Sequence, residues 1–221
     1  MTPRAASLTD KAYRHIRDIV LAGQIPPGER LTVRPIAEEL ALSPTPVNTA
    51  LSMLAREGIV EARMHRGYFV PVISVRDMTE IYEVRLGLDL IAIRRACQAE
   101  DHRDIAATLL EQCGEQEHKI AKLDVDGFID LDITFHEMIW KLCGNHRLHH
   151  TGRYLLDRMR MGSRVSLHRT NRLSESLAEH RNIVRAIEAG DLRDGEEAVT
   201  AHLSLTKAAY SAAISQVRTT Y

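Results

Sequence analysis

The strongest constraint on the fold of this 221-residue chain is the helical spacing of apolar residues over its last two thirds. The intervals between breaks predict six helices, over residues 77–99, 102–122, 125–143, 147–169, 174–189 and 192–216. The breaks contain capping residues and residues that tolerate a left-handed backbone: Asp124, Gly144-Asn145, Thr170-Asn171 and Gly190-Asp191. Short links between long amphipathic helices predict an antiparallel bundle.

Composition agrees with a helical protein and restricts the compartment in which the protein is expected to be located. Aromatic residues make up only 5% of the chain, so the core must consist of aliphatic residues and Met, which favours helices over a β-sandwich. No stretch approaches the roughly 18 apolar residues of a membrane helix, so we expect no membrane partner. The N-terminus lacks the apolar segment of a secretory signal, and Cys97, Cys113 and Cys143 are scattered. Both features predict reduced thiols and a cytoplasmic location.

The first 73 residues have a different pattern, in which three short helices precede two short strands. The third helix is expected to start at Ser43-Pro44, a capping hydroxyl followed by proline at the first helical position. The strands are predicted at Ile59–Arg63 and Tyr68–Val70. The predicted fold class is therefore mainly α, with a winged helix-turn-helix domain over residues 1–73 and an all-α six-helix bundle over residues 77–216.

Charge permits a DNA-binding N-terminal domain without requiring one. Residues 1–74 contain nine basic and seven acidic residues, whereas residues 75–221 contain 20 and 23. In a helix-turn-helix the second helix of the motif enters the major groove by its N-terminal end. The candidate DNA contacts are Arg34, then Ser43, Thr45, Asn48 and Thr49 at that end, and His65, Arg66 and Gly67 at the tip of the wing. The alternative is that these residues are ordinary helix caps and a surface turn.

Residues 11–70 resemble the N-terminal domain of the GntR family of bacterial transcription regulators. The resemblance rests on Ile25–Leu31, Ile36–Leu40, Ser43–Val47, Ala50-Leu51, Leu54, Glu57-Gly58 and Arg66-Gly67. It implies phosphate and base contacts at Arg34, Ser43, Thr45, Asn48, His65 and Gly67. The family usually has arginine at the positions of Pro44 and Asn48, so the usual operator of the family cannot be assumed. We expect Asn48 instead to favour adenine or to contact only the backbone of the DNA.

Four residues of the bundle have the types that bind divalent metals. Asp132 and His136 are four residues apart and share a helix face, while His180 and His202 are each flanked by core-type residues. Burying them without partners would cost several kcal/mol, and a shared metal ion is one solution. A local Asp–His hydrogen bond is the alternative. Spacing alone does not bring His180 and His202 to the same point.

Residues 77–213 resemble the FCD ligand-binding domain in its shorter VanR-like form. The matching stretches are Tyr82–Leu86, Asp132-x-x-Phe135-His136, Gly144-Asn145, Glu179–Arg181 through Ile187–Asp191, and Ala201–Leu203. The resemblance implies that Asp132, His136, His180 and His202 bind a divalent metal, zinc by frequency, with nickel, manganese and iron also compatible. Arg85 would then clamp a carboxylate effector, unless it forms only a surface salt bridge. A departure occurs at Gly87-Leu88-Asp89, where a glutamate is usual.

These expectations combine into a functional prediction. The chain is expected to be a metabolite-responsive transcriptional regulator, a repressor like many members of the family, and not an enzyme. A homodimer would bind a palindromic site on double-stranded operator DNA, and a small carboxylic acid would bind at the metal. Two alternatives stay open: a metal-dependent hydrolase, for which the sequence shows no dedicated general base, and a regulator whose metal is purely structural.

Overall fold

The computed structural model describes residues 7–170 and 172–218, and it divides into two compact units between Ile73 and Ser74. Within the described part of the first unit there are three helices and three short strands. Their bounds are α1 Leu8–Leu21, β1 Arg30–Leu31, α2 Val33–Leu40, α3 Pro44–Arg56, β2 Glu61–Arg63 and β3 Gly67–Phe69.

Local signals in the sequence set the bounds of these helices. Ser7 and Asp10 form a capping box at the start of α1. Helix α2 ends at Ala41 in the left-handed conformation, with φ of 53°, and α3 begins two residues after Leu42 with Pro44 in its first turn. This tight connection is the turn of a helix-turn-helix. Helices α1 and α3 bury the apolar core of the unit, which includes Ala12, Ile16, Val47, Ala50, Leu51 and Leu54.

The wing is a three-stranded antiparallel sheet with β3 in the middle. Its register pairs Arg30 with Phe69 and Ala62 with Tyr68. The sequence predicted β2 and β3 within a few residues but missed β1, because a two-residue strand has no periodicity. Positive φ values at His65 (56°) and Gly67 (93°) close the turn between β2 and β3.

The described part of the second unit consists of six helices. They are α4 Val75–Cys97, α5 His102–Ala121, α6 Val125–Leu142, α7 His146–Thr170, α8 Leu173–Ala189 and α9 Leu192–Arg218. All six lie within a few residues of the predicted positions. The predicted fold class, a winged helix-turn-helix followed by a six-helix bundle, is therefore confirmed.

The bundle interior combines large apolar side chains with a group of buried polar ones. Trp140, Phe128, Phe135 and Leu109 are fully buried. Buried among them are charged and polar side chains: Arg85, Asp89, Gln116, Asp132, His136, Ser176, His180 and His202. Polar groups removed from water need hydrogen bonds, ion pairs or a metal, so this region is the natural place to look for a site. In the part of the chain that the structure describes, no helix is both long and apolar enough to span a membrane.

Candidate metal centre and DNA-binding surface

Three helices each contribute one histidine to a single point inside the bundle. His136 comes from α6, His180 from α8 and His202 from α9, and each is at most 1% exposed. One ligand atom from each ring lies within 4.8 Å of the other two, and the Nε2 atoms of His136 and His202 are 3.2 Å apart. Two nitrogens bound to zinc at about 2.0–2.1 Å in a tetrahedron are ~3.3 Å apart. The Nε2 atoms of His136 and His202 thus already have the spacing that one zinc ion requires, whereas the ligand atom of His180, within 4.8 Å of both, fits after a modest movement toward them.

The outer nitrogens of two of these rings are held by acceptors. The Nδ1 atom of His202 lies 2.8 Å from Oε2 of Glu179, and that of His180 lies 2.9 Å from Oε1 of Gln116. We assign the ring protons to Nδ1 because carboxylate and amide oxygens accept hydrogen bonds. The lone pairs of both Nε2 atoms then face the interior of the cluster. Arg172 in turn forms an ion pair with Glu179.

One ring nitrogen of His136 and one of His180 have no hydrogen-bond partner. Nδ1 of His136 has no hydrogen-bond partner, and Oδ2 of Asp89 lies 4.0 Å away. Nε2 of His180 also lacks a hydrogen bond, although Oδ1 of Asp132 lies 3.3 Å from it. Asp132 thus contacts one of the three histidines and stands outside the group within 4.8 Å. Nε2 of His180, unpaired beside the Asp132 carboxylate and facing the other two rings, is therefore a nitrogen that can bind a cation.

Electrostatics keep the three rings neutral. Burial lowers the pKa of His136, His180 and His202 well below the usual value, and nearby Arg85 contributes to each shift. Burial also raises the pKa of Asp132 to about 6, against the opposing effect of Arg85. Neutral imidazoles bind metals, whereas imidazolium ions do not, so the cluster is ready to accept a cation at neutral pH.

Arg85 lies on α4 and is buried. Its Nε donates to Oδ2 of Asp89 at 3.1 Å and its Nη1 lies 3.1 Å from Sδ of Met159, while Nη2 is buried without a hydrogen-bond partner. Trp140 donates to the other oxygen of Asp89. Arg85 is therefore part of a buried ion pair, not the surface salt bridge considered as an alternative, and it retains one unused donor.

The helix α3 residues singled out for DNA contact lie on the surface of the first unit. Ser43 is the N-cap of α3 but makes no capping hydrogen bond with its side chain. Asn48 donates from Nδ2 to the carbonyl of Pro44 at 3.2 Å, and Thr49 donates to the carbonyl of Thr45 at 3.1 Å. All of these side chains are exposed.

Arg34 and the wing complete this surface. Arg34 is exposed and pairs with Glu38 on the next turn of α2, with Nε and Oε1 3.0 Å apart. His65 and Arg66 are exposed at the wing tip. The guanidinium of Arg30 on β1 lies beside Gly67, 3.5 Å from the position that a Cβ would occupy. The position of Arg30 at the wing was not predicted from the sequence, because only the pairing of β1 with β3 brings it there.

The residues that contact the outer nitrogens of the three histidines were also not predicted from the sequence. Glu179 was named only as part of a stretch that resembles the FCD domain, although its position directly before His180 was visible. Gln116 on α5 and Asp89 on α4 carry no local signal, since the tertiary fold alone brings them to the cluster.

Comparison with known proteins identifies the family. Residues 8–70 match the bacterial regulatory proteins of the gntR family, and residues 80–205, more than half of the chain, match the FCD domain. The chain belongs to the GntR family of bacterial regulators with an FCD domain. It is therefore a transcriptional regulator, and the hydrolase alternative is wrong because this family consists of regulators.

Relatives of this GntR-family regulator share its whole architecture. The HTH-type transcriptional regulator YdhC of Bacillus subtilis is 23% identical over 87% of this chain and 86% of its own. The HTH-type transcriptional repressor GlaR of Escherichia coli is 25% identical over 86% of this chain and 90% of its own. The crystal structure of a GntR regulator from Rhodococcus sp. RHA1 superimposes with a TM-score of 0.81 at 22% identity, covering 92% of this chain and 97% of that one.

Proposed function

We propose that this regulator binds a divalent metal ion inside its FCD domain and uses it to sense a small carboxylate. The observation that carries the proposal is the convergence of His136, His180 and His202, from three helices, within 4.8 Å in the interior. Asp132 beside His180 is the fourth ligand. Zinc suits three imidazoles and a carboxylate, and nickel, manganese and iron(II) are compatible with the same donors.

The effector site consists of the open positions on the ion and of a buried side-chain donor that has no partner within the protein. Nickel, manganese and iron(II) commonly take six ligands, so held by four side chains they retain open positions that a carboxylate occupies readily, whereas zinc has to expand beyond four ligands to bind it. Arg85 has a buried Nη2 atom with no hydrogen-bond partner and supplies the matching positive donor. A ligand that binds there more tightly in one conformation than in another shifts the bundle toward that conformation.

The DNA-binding side of the proposal rests on the winged helix-turn-helix. Helix α3 acts as the recognition helix, with Ser43, Thr45, Asn48 and Thr49 at its groove-entering end, and the wing presents His65, Arg66 and Gly67. Arg34 contacts a phosphate. A homodimer places two such helices about 34 Å apart on a palindromic operator. Repressor action is supported by the name of the relative GlaR.

The metal is tested on protein purified without chelator. Elemental analysis is expected to find about one ion per chain in the wild type and in His150→Ala, whose side chain is exposed, but none in His180→Ala. The metal proposal fails if His180→Ala retains the ion.

Sensing is tested on metal-loaded and chelator-treated protein, with operator fragments selected from a random pool. A panel of small carboxylic acids is expected to release DNA from the loaded protein only, with loss of the response in Arg85→Gln. If the metal raises the melting temperature but no acid alters DNA affinity, the metal is structural. A selected consensus without two inverted half-sites would contradict the palindromic dimer.

A further inference from the structure

Asp89 lies between the proposed metal ligand His136 and the arginine assigned to the effector. It belongs to α4 and is 3% exposed. Its Oδ2 accepts from Nε of Arg85 at 3.1 Å and lies 4.0 Å from Nδ1 of His136. Its Oδ1 accepts from the indole nitrogen of Trp140. One buried carboxylate therefore faces three side chains that can donate to it.

Two pairs of residues on neighbouring helices produce this arrangement. Arg85 and Asp89 are four residues apart on α4, which packs against α6. His136 and Trp140 are four residues apart on α6. Side chains at this spacing lie one turn apart on the same face of a helix, so each helix presents one pair to the other. The carboxylate of α4 thus lies near both residues of the α6 pair while it holds the arginine of its own helix.

The outer nitrogen of His136 needs an acceptor. Nδ1 of His202 donates to Glu179, whereas Nδ1 of His136 is buried and has no hydrogen bond within the described part of the chain. With Nε2 bound to a cation, a neutral imidazole carries its proton on Nδ1, which makes that atom a donor. Oδ2 of Asp89 lies only about 1 Å beyond hydrogen-bond distance from it. Asp89 is therefore placed to be the acceptor that Glu179 is for His202.

The same carboxylate sets the orientation of Arg85. Nε of this arginine donates to Asp89, and Nη1 lies 3.1 Å from Sδ of Met159 on α7. A guanidinium is planar and rigid, so these two contacts fix the direction of Nη2, the donor that the proposed function assigns to the effector. Any movement of Oδ2 toward His136 therefore changes how firmly Asp89 holds Arg85.

We propose that Asp89 is a positioning residue that couples metal binding at His136 to the effector arginine. Oδ2 of Asp89 accepts from Nδ1 of His136 when Nε2 of that ring holds a cation, and it then divides its interaction between this donor and Nε of Arg85. A carboxylate at the outer nitrogen of a metal-bound imidazole orients the ring and makes it a stronger ligand. The divided interaction leaves Arg85 less neutralised and so a better donor to an anion. The inference rests on the metal site of the proposed function.

The test uses the single tryptophan of the chain. In chelator-treated protein labelled with ¹⁵N, the indole N–H of Trp140 and the Nε–H of Arg85 both report on their hydrogen bonds to Asp89. Titration with Zn²⁺ alone is expected to shift both signals in proportion to the zinc bound. Loss of the arginine signal in Arg85→Gln assigns it.

Asp89→Asn removes the charge and keeps the shape of the side chain. Zinc affinity, measured by competition with a chelator, is expected to fall about 10-fold to 100-fold. At saturating zinc, the Trp140 signal of this variant is expected to keep its zinc-free position. Asp89→Glu retains the charge and is expected to retain the zinc-dependent shifts. Circular dichroism checks that the variants fold.

Glu179→Gln is the matched control, because it makes the same chemical change beside His202. Its zinc affinity is also expected to fall, but at saturating zinc the signals of Trp140 and Arg85 should shift as they do in the wild type. A role of Asp89 in packing alone would not produce this difference between the two variants.

The outcomes separate this inference from the metal proposal. A wild type that takes up no zinc would overturn both. A wild type that binds zinc while both signals stay in place would overturn the role of Asp89 alone, whether or not Asp89→Asn folds. A shift of the Trp140 signal that persists in folded Asp89→Asn would also overturn it, since Trp140 lies one turn after His136 and α6 would then transmit the change directly.

Discussion

At the residue scale, the proposed metal ligands depend on atoms that would not touch the ion. Glu179 and Gln116 accept from the Nδ1 atoms of His202 and His180 and so fix which nitrogen of each ring can bind an ion. The four proposed ligands were predicted from residue type, helix spacing and the family resemblance. Their partners were not, since no pattern along the chain connects Gln116 to a histidine 64 residues away.

Glu179→Gln tests the role of this carboxylate. The amide keeps the shape but loses the charge that supports the donating Nδ1 of His202, so we expect metal affinity to fall about 10-fold to 100-fold. Competition with a chromogenic chelator measures the affinity. Glu175→Gln, an exposed acid on the same helix, is the control. Equal affinities in the two variants would contradict the positioning role.

Asn48→Arg tests base recognition by α3. An added cation on the groove-facing side is expected to increase the salt dependence of DNA binding by about one phosphate contact and to favour guanine at one operator position. Asn182→Arg adds the same charge in the FCD domain, on an exposed residue of α8. Operator selection from a random pool compares the consensus. An unchanged consensus would show that position 48 does not read a base.

At the element scale, glycines decide how closely helices pack. A Cβ at Gly152 on α7 would overlap the ring of the buried Trp140 on α6, so this glycine permits the contact of the two helices. At Gly114 on α5 a Cβ would meet nothing within 4 Å. Both positions look alike in the sequence, since each is a glycine inside a helical pattern. Only the packed structure distinguishes them.

Gly152→Ala and Gly114→Ala form a matched pair. Gly152→Ala is expected to destabilise the protein by roughly 1–3 kcal/mol, because the methyl group displaces Trp140. Gly114→Ala is expected to stabilise it by about 0.5–1 kcal/mol through the higher helix propensity of alanine. Urea unfolding of each variant gives both values. If both variants were more stable than the wild type, or both less stable, this account of the packing would be wrong.

At the scale of the whole molecule, the buried histidines link stability to pH. The unfolded imidazoles bind protons below a pKa of about 6.5, whereas burial lowers the pKa of the folded ones well below that value. The unfolded state therefore binds more protons as the pH falls, and stability falls with it. Asp132, with its pKa raised to about 6 by burial, acts in the opposite direction, because the folded state takes up its proton first.

We therefore expect chelator-treated protein to lose of the order of 1–2 kcal/mol of stability between pH 7 and pH 6, because the three imidazoles outweigh the carboxyls of Asp132, Asp89 and Glu179, whose pKa burial raises. Urea unfolding at the two pH values measures the loss. His202→Ala removes one of the three groups and should reduce the pH dependence by about a third. His150→Ala should leave it unchanged. A flat profile in the wild type would mean that the folded and unfolded states take up the same number of protons, which would contradict the lowered pKa of the buried rings.

The sequence by itself determined the helices, the β2–β3 hairpin and the family. Apolar spacing, capping residues and prolines are local signals, and local backbone preferences set the ends of helices such as α2 and α3 within a few residues. The tertiary structure decided which side chains meet. His136, His180 and His202 converge only because α6, α8 and α9 pack around one interior point, and Arg85 is buried against Asp89 for the same reason. Contacts between distant residues depend on how whole helices pack, and short-range periodicity does not encode that packing.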